Sequence, residues 1–520
     1  MKLKPFIGIL AISGLWILSG CSSSDGISAP KRAAAPESSS DAYEPVPSSP
    51  AADEPATKHS APKIAASPPR SPSAAAPYSS GEAPAPISPS VSGLAKESAS
   101  FSRDSALAEA TPSLSAPAEA EMAASDKGVA APDSSVYSEV KKPEVPIQSG
   151  TLTAGDIDDN LNFTAFQQYL NKQFQADKAQ NLPSFEVTNR VTLQIVDTAN
   201  RGVSHARVRI SDTNMTKLLL ETVAGSDGRC HLFPAFDGLN NPKLDLQVMS
   251  PDAVSNPQTI PFKTTLDLQQ LNQERLLTVT LPKIVAKKPK ALDIMLVIDT
   301  TGSMSDELRY LTTELRDIIG AVQNRHSNQI AIRFGLVVYR DQGDEYVVRF
   351  FKFTDSLNQM QTQLIQQQAT GGGDYPEAME QALATAVNAK WRDGNTARLL
   401  FLVADAPPHN KNLAAMLKPI RTARQKGIRL YSLAASGVAN TAEFMMRTAS
   451  VLTQARYLFL TDDSGVGNPH AEPRVPCYIV TRLDQLMSRV IASELAGKRI
   501  EPTDSDIIRK VGTYEAGVCK

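Results

Sequence analysis

Short apolar runs alternate with segments of helical spacing from about residue 291 to residue 500. The apolar runs predict strands at 293–299, 330–340, 346–353, 398–404, 428–434 and 456–460. Apolar residues recur at helical intervals over 308–322, 376–391 and 483–495. This alternation predicts an α/β domain, with a mainly parallel, doubly wound sheet that is covered by helices.

One pair of strands in this domain is predicted to run antiparallel. Only residues 341–345 separate the strand at 330–340 from the strand at 346–353. A linker of this length is too short for a helical crossover, so the two strands are expected to pair antiparallel at an edge of the sheet.

The region from 185 to 285 shows the two-residue alternation of β-strands, which predicts a small all-β sandwich. The alternating apolar positions are Val191, Leu193, Ile195, Ala206, Val208, Ile210, Leu244, Leu246, Val248, Leu277, Val279 and Leu281. The run 196–233, with a turn signal at Asp227-Gly228, resembles carboxypeptidase-regulatory-like sandwiches. The resemblance implies a non-catalytic spacer or binding module.

Residues 151–184 are interpreted as a helical preamble that docks on a folded domain. Apolar residues recur there at helical spacing, at Phe163, Phe166, Leu170 and Phe174. The acidic run 156–160 is similar to the start of a calcium loop, but it lacks the glycine at the sixth position and has Gln167 at the twelfth. A helix start is therefore preferred there, and residues 501–520 are interpreted as a C-terminal tail.

Residues 21–150 consist mostly of alanine, serine and proline, and they hold 19 of the 36 prolines of the chain. Such a composition buries too little apolar surface to offset the entropy of ordering, so a disordered tether is predicted. A flexible chain of this length spans roughly 60 Å root mean square. That reach would hold a domain clear of a membrane surface.

The first twenty residues have the features of a secretory signal, with a basic start at 1–4 and an apolar run at 6–18 that is too short to span a bilayer. Leu18-Ser19-Gly20-Cys21 resembles the lipobox of bacterial lipoproteins. The resemblance implies lipidation of Cys21 and a bacterial cell-envelope location. Ser22, where an aspartate would favour inner-membrane retention, favours the outer membrane. A plain secretory signal with an incidental cysteine is the alternative.

Three cysteines remain after processing at Cys21, namely Cys230, Cys477 and Cys519. Export permits a disulfide, and the odd number leaves one thiol unpaired. Cys477 and Cys519, which are both near the C-terminus, are the expected pair. The formal net charge of −2 comes from mixed signs, which argues against a nucleic-acid partner.

The apolar run 293–299 predicts a buried strand that ends in the carboxylate of Asp299, with the hydroxyls of Thr301 and Ser303 on a tight loop behind it. These hard oxygen donors suit Mg²⁺, Mn²⁺ or Ca²⁺ rather than Zn²⁺. The string resembles the D-x-S-x-S metal-site motif of von Willebrand factor type A (VWA) domains. The resemblance covers about residues 291–500 and implies a Rossmann-like fold with one antiparallel edge strand and a metal-ion-dependent adhesion site. The alternative is that the hydroxyls cap the next helix.

Asp405 follows the predicted strand 398–404, and the carboxyl ends of parallel strands meet at one edge of a sheet. The resemblance implies that this aspartate contacts the metal directly or through water, whereas a turn or helix-cap role is the alternative. His409 and His470 lie on loops and are candidates of lower rank for a role near the metal.

The last ligand that the resemblance implies is a threonine on a glycine-rich loop, here 369–377. Counted back from the next helix, Asp374 stands in its place, whereas Thr370 precedes the glycines. A third carboxylate would neutralise a divalent ion more fully and weaken its attraction for an acidic partner. The alternative is a capping box formed by Asp374 and Glu377.

Motifs of the common hydrolases and nucleotide-binding enzymes are absent from the sequence. There is no phosphate-binding loop, no Gly-x-Ser-x-Gly elbow, and no second aspartate two residues after Asp299. The sequence therefore predicts a non-enzymatic, lipid-anchored envelope protein whose VWA domain binds a protein partner through a divalent cation, with Mg²⁺ favoured. A structural component of an envelope assembly, with a merely stabilising metal, and a metal-dependent hydrolase remain as alternatives.

Overall fold

The structure is a computed structural model that describes residues 147–176, 182–252, 260–271 and 273–520. The predicted signal segment, Cys21 and the tether up to residue 146 lie outside the described residues. None of the helices in these ranges combines the length and the hydrophobicity that a membrane-spanning segment needs.

The first described part of the chain contains a strand, a helix and then a group of short strands. In chain order these are β1 (Thr153–Ile157), α1 (Phe163–Ala176), β2 (Val191–Val196), β3 (Arg207–Ser211), β4 (Leu218–Val223), β5 (Arg229–Leu232), α2 (Pro234–Asp237), β6 (Lys243–Met249), β7 (Phe262–Asp267) and β8 (Leu276–Thr280). Strands β2 to β8 form two sheets, in the orders β5-β2-β8 and β4-β3-β6-β7. Both sheets contribute side chains to one apolar core, so we call residues 191–280 the β module. Its likeness to carboxypeptidase-regulatory-like sandwiches stays a prediction.

The second part alternates strands and helices. The elements are β9 (Ala291–Asp299), α3 (Leu308–His326), β10 (Ala331–Tyr339), β11 (Val348–Thr354), α4 (Leu357–Ile365), α5 (Met379–Val387), β12 (Thr396–Ala404), α6 (Leu417–Lys426), β13 (Ile428–Ala434), α7 (Asn440–Leu452), β14 (Tyr457–Thr461), β15 (Tyr478–Arg482), α8 (Leu483–Ala496), β16 (Arg509–Val511), β17 (Tyr514–Glu515) and β18 (Val518–Cys519). A 3-10 helix at Gly302–Asp306 lies between β9 and α3.

The principal sheet has nine strands in the order β11-β10-β9-β12-β13-β14-β1-β15-β16. Strands β10, β9, β12, β13 and β14 run parallel, and β11 pairs antiparallel with β10, as the short connection between them predicts. A VWA-like α/β fold with a mixed sheet is consistent with this order.

Strand β9 presents apolar side chains to both faces of the sheet, and helices cover each face. Met295 and Val297 enter one core, which also contains residues of α5, α6 and α7. Ile294, Leu296 and Ile298 enter the other core, against α3, α4 and α8. Because successive side chains of a strand point to opposite faces, a continuous apolar run is the expected sequence of such a central strand.

The far side of the sheet differs from the prediction. Strand β1 lies between β14 and β15 and is antiparallel to both, and β16 is antiparallel to β15. The predicted domain limits of 291 and 500 therefore exclude two strands of the sheet, β1 and β16. The prediction of a single antiparallel strand, at one edge, is wrong, because β1 and β16 also run antiparallel to their neighbours. Residues 153–157 are a strand rather than part of a helical preamble, although α1 does follow from Phe163.

Buried polar contacts fasten the segment around β1 to two helices. Glu314 of α3 accepts hydrogen bonds from the backbone N–H groups of Thr151 (2.8 Å) and Leu152 (3.0 Å). Arg447 of α7 donates to both carboxylate oxygens of Asp159, at 2.9 and 2.8 Å, and both side chains of this pair are buried. Removing one partner of such a pair costs about 3–5 kcal/mol, because the other charge is left buried without compensation.

The β module is an insertion between two strands of one sheet, because β1 precedes it and β9 follows it. It packs against the α/β domain through a buried ion pair between Arg424 of α6 and Asp237 of α2, with 3.0 Å between Nη2 and Oδ2. The hydroxyl of Thr222 also donates to the backbone carbonyl of Arg424 at 3.2 Å. The module is therefore held at its ends and along one side.

The C-terminal hairpin is linked covalently to the sheet. Cys477, next to β15, forms a disulfide with Cys519 of β18, with 5.3 Å between their Cα atoms. This is the pair expected from the sequence, and Cys230 is a buried free thiol.

A fragment limited to residues 291–500 is expected to fold poorly. Without β1, strands β14 and β15 lose the partner between them, and their backbone groups and apolar faces become exposed. A longer fragment, 147–520, should unfold in one cooperative thermal transition, whereas 291–500 should aggregate or melt without cooperativity. Circular dichroism and calorimetry on both fragments measure this. Equal melting temperatures would contradict the assignment of β1 to the sheet.

Candidate metal centre

Two aspartates lie at the carboxyl ends of neighbouring parallel strands. Asp299 ends β9, and Asp405 directly follows β12, so both reach the same edge of the sheet. Both residues are buried. Within the described part of the chain, Oδ2 of Asp299 and Oδ1 of Asp405 have no hydrogen-bond partner.

The loop after β9 brings two hydroxyls to these carboxylates. The backbone N–H and the hydroxyl of Thr301 donate to Oδ1 of Asp299, at 2.9 and 2.7 Å. The hydroxyl of exposed Ser303 is 3.1 Å from that of Thr301. Neither hydroxyl caps a helix, because α3 begins after Glu307 and lacks a side-chain cap.

Burial and like charge both disfavour ionisation of the two aspartates. Burial, followed by the charge of Asp405, raises the pKa of Asp299 to about 7. Burial raises the pKa of Asp405 to about 6, although the hydrogen bond from Ser303 opposes the rise. Such crowding of carboxylates is typical of a place where a cation supplies the compensating charge.

Glu377 is a third buried acid at this edge, and sequence reasoning did not identify it as a site residue. Its Oε2 lacks a hydrogen-bond partner among the described residues, and a Cβ atom built on Gly372 would lie 3.1 Å from its Oε1 and 3.3 Å from the Cβ of Thr301. Burial, and then the charges of Asp299 and Asp341, raises the pKa of Glu377 to about 9. The three carboxylates therefore influence one another.

The structure also corrects the capping interpretation of Glu377. Helix α5 begins at Met379, and its N-cap residue Ala378 makes no side-chain hydrogen bond, so Asp374 and Glu377 do not form a capping box. The backbone N–H of Glu377 donates instead to the carbonyl of Pro407, at 2.9 Å. An acid just after a glycine-rich loop was the available sequence signal, and helix capping explained it equally well.

The profile of the von Willebrand factor A domain family matches residues 293–466. This part of the chain is a von Willebrand factor A domain. The matched range contains Asp299, Thr301, Ser303, Glu377 and Asp405, and thus every residue of the cluster.

Two curated proteins resemble stretches of this chain. An alpha-protein kinase of Dictyostelium discoideum is 25% identical over 155 residues, which are 28% of this chain and 23% of the kinase. An ariadne-like RING finger protein of Acanthamoeba polyphaga mimivirus is 28% identical over 123 residues, which are 24% of this chain and 12% of that protein. The chain thus covers less than a quarter of the length of either relative.

Solved structures also resemble part of the fold. The conserved protein BatB from Bacteroides thetaiotaomicron aligns with 39% of this chain and 98% of its own, at 11% identity and a TM-score of 0.28. The pilus adhesin SpaC from Lactobacillus rhamnosus GG, in an open conformation, aligns with 41% of this chain and 28% of its own, at 14% identity and a TM-score of 0.25. Similarity of this degree is no basis for transferring a function.

The two candidates on the glycine-rich loop of the VWA domain, Asp374 and Thr370, have exposed side chains. The loop itself lies against the loop after β9, because the N–H of Thr370 donates to the carbonyl of Thr300 and the N–H of Gly302 donates to that of Gly371. The carboxylate of Glu377 and the side chain of Thr301 both lie close to Gly372 of this loop, whereas the side chain of Asp374 is exposed.

The two histidine candidates bind acids around the cluster. His409 Nε2 is 2.6 Å from Oδ1 of Asp341. His470 bridges Glu307 (2.9 Å) and Asp462 (2.8 Å), while Glu307 also accepts the N–H of Ser436 at 2.7 Å. His470 thereby connects the loop after β14 to the start of α3, which is a structural role.

The donor set of the VWA domain fits a hard divalent cation. Its free groups are carboxylate and hydroxyl oxygens, with no thiolate or imidazole among them, which suits Mg²⁺. Across the described residues, no three histidine, cysteine or acidic side chains are close enough to hold a metal by themselves. A cation here would therefore depend on the hydroxyls of Thr301 and Ser303 and on water as well as on Asp299 and Asp405.

We expect His470→Gln to destabilise the protein most at low pH. Burial lowers the pKa of His470, but the hydrogen bonds to Glu307 and Asp462 outweigh it and raise the pKa above the usual value. Its contribution to stability is therefore complete below the unfolded pKa of about 6.5 and is lost as pH rises through the higher folded pKa. Denaturant unfolding of both proteins from pH 6 to pH 9 measures this.

The difference in unfolding free energy between wild type and His470→Gln should shrink as pH rises. His326→Gln is the matched control, because burial lowers the pKa of His326 at the end of α3 and gives the opposite pH trend. A His470 difference that stays constant or grows with pH would contradict the bridging role.

Proposed function

We propose that the VWA domain binds a divalent cation, preferably Mg²⁺, with Mn²⁺ or Ca²⁺ as alternatives, and uses it to hold an acidic side chain of a protein partner. The observation that carries this proposal is the set of unpartnered, buried carboxylate oxygens of Asp299, Asp405 and Glu377 within the described part of the chain. The hydroxyls of Thr301 and Ser303 lie beside them.

Each residue of the cluster has a defined part in this function. Asp299 would hold the cation, and Thr301 fixes its orientation through two hydrogen bonds to Oδ1, which leave Oδ2 free. Ser303 and Asp405 would add ligands directly or through water, and Glu377 would act through water, because no three acidic side chains of the described residues are close enough to hold a cation by themselves. A bound divalent cation offers a coordination position that a partner carboxylate can fill.

An acidic side chain of a partner could bind at this site only while a cation is present. Asp306, Asp341 and Asp344 surround the cluster, and the last two contribute to the raised pKa of Glu377. An acidic partner side chain would be repelled by this much negative charge unless a cation were present. Chelators should therefore abolish the interaction. Because several carboxylates already offset the charge of the cation, the affinity for the partner should be modest.

The proposed place of action is the bacterial cell envelope. Leu18-Ser19-Gly20-Cys21 supports a lipid anchor on Cys21, with the outer membrane favoured, and the composition of the following tether supports a long, flexible reach. The disulfide between Cys477 and Cys519 fits an oxidising compartment. The lack of a recognisable nucleophile or general base motif in the sequence supports a binding function rather than an enzymatic one.

Metal titrations of the chain 147–520 test the proposed centre. We expect Asp299→Asn to weaken Mg²⁺ and Mn²⁺ binding at least roughly tenfold, since one charged ligand is worth more than about 1.4 kcal/mol. Glu377→Gln should weaken binding too, whereas Asp374→Asn, which changes an exposed acid, should have little effect. Isothermal titration calorimetry measures the affinities.

Thermal melting in chelator is the control for folding. Asparagine keeps the shape of Asp299 and removes a buried charge that repels Asp405, so the metal-free variant should melt no lower than wild type. Unchanged metal binding by Asp299→Asn, or no saturable binding by wild type, would refute the centre. A partner that still binds the metal-free protein would indicate a cation with only a stabilising role.

Cys21→Ser tests the proposed anchor. The lipidated chain should fractionate with membranes of a bacterial host, whereas the Cys21→Ser variant, which lacks the acceptor thiol, should be recovered in the soluble fraction. Membrane fractionation with detection of incorporated fatty acid measures this. A variant that stays in the membrane fraction would contradict lipid anchoring at this residue.

A further inference from the structure

A cleft lies between the β module and the α/β domain, and both belong to the same compact unit of the described residues. Its volume is about 740 Å³, which is within the range of small-molecule sites. Arg190, which directly precedes the β module, lines one side together with Arg229 and His231 of the module, and the α/β domain contributes Arg429 and Lys498. The lining is mainly polar and rich in cations.

Four acids line this cleft, Asp158, Asp227, Glu274 and Glu494, against six cations, Arg190, Arg229, Arg429, Arg456, Lys498 and Arg499. Asp158 pairs with Arg499, at 3.3 Å. Glu494 accepts hydrogen bonds from Tyr431 (2.7 Å) and Ser226 (3.0 Å). Since four carboxylates face six cations, the lining has an excess of two positive charges.

Three cations of the cleft have no acidic partner among the described residues. Across the same ranges, Arg190, Arg429 and Lys498 form no ion pair within 4 Å, and Arg229 has only a 3.9 Å approach to Asp227. Arg190 is directed by a hydrogen bond to the carbonyl of Asn160, at 3.0 Å. The cleft thus carries an excess of positive charge that comes from both of its walls.

Arg429 is the most constrained of these groups. It is more than nine-tenths buried, and one guanidinium nitrogen donates to the carbonyl of Thr453 at 2.8 Å. A Cβ atom at position 225 would overlap the other end of this guanidinium, so Gly225 provides the room that it occupies. Leaving a buried guanidinium without a counter-charge is costly, and such an arrangement is typical of an anion site.

His231 lines the same cleft and is influenced by the charges of Arg190 and Arg429. Its Nδ1 is 3.1 Å from the hydroxyl of Thr192. Burial, and then the charges of Arg190 and Arg429, lowers the pKa of His231 well below its usual value. A neutral imidazole next to a hydroxyl adds uncharged hydrogen-bonding groups to the cationic lining.

We propose that the cleft between the β module and the α/β domain binds a small molecule that carries a phosphate group, through Arg190, Arg229, Arg429 and Lys498. Guanidinium groups match phosphate oxygens in charge and geometry. Cations that approach from two walls suit a polyvalent tetrahedral anion better than a single carboxylate. This site is separate from the metal centre and does not depend on it.

Binding of inorganic phosphate to the full-length protein tests the proposal. At constant ionic strength, sodium phosphate should raise the melting temperature in a saturable way, whereas sodium acetate or chloride should not. Isothermal titration calorimetry gives the dissociation constant. Arg429→Gln should raise that constant roughly tenfold, as expected for loss of a charge-assisted hydrogen bond.

Exposed variants keep the test valid if Arg429→Gln fails to fold. Arg229→Gln and Lys498→Gln should each raise the dissociation constant severalfold, whereas Arg325→Gln, at the exposed end of α3, should leave it unchanged. Absence of saturable binding by folded wild type would overturn the proposal. So would equal effects of phosphate and acetate, or cleft variants that bind phosphate as tightly as Arg325→Gln does.

Discussion

The insertion of β1 between β14 and β15 is the constraint on which the rest of the structure depends. Because β1 precedes the β module and β9 follows it, both ends of the module are connected to strands of the same sheet. Glu314 and Arg447 fasten the residues on either side of β1. The module therefore lies against the VWA domain, and the cationic cleft between them is a consequence of the fold.

The same constraint extends to the candidate metal centre. Strand β1 pairs with β14, and β14 leads into Asp462, which binds His470. His470 in turn binds Glu307 at the start of α3, just behind the loop that carries Ser303. The loop after β9 thus fixes the positions of the Thr301 and Ser303 hydroxyls. The buried carboxylates of Asp299 and Asp405 repel each other when both are ionised. We propose that a divalent cation offsets this repulsion.

The alternation of strands and helices was sufficient to predict most of the α/β domain, because buried parallel strands have continuous apolar sequences. It also identified Asp299, Thr301, Ser303 and Asp405, since carboxyl ends of adjacent strands must share an edge. Strand β1 could not be predicted, because Thr153–Ile157 is short and polar and is a strand only between β14 and β15. Glu377 was missed because a loop acid before a helix is equally compatible with capping, and only tertiary packing buries it.

Anomalous diffraction from crystals grown with Mn²⁺ most directly tests whether the edge of the sheet in the VWA domain is a metal centre. One strong anomalous peak is expected within coordination distance of Asp299 and Ser303, with Asp405 or a water bound to it completing the shell. A well-ordered crystal with Mn²⁺ in solution and no peak at this edge, or with a peak bound only by Asp374, would contradict this expectation.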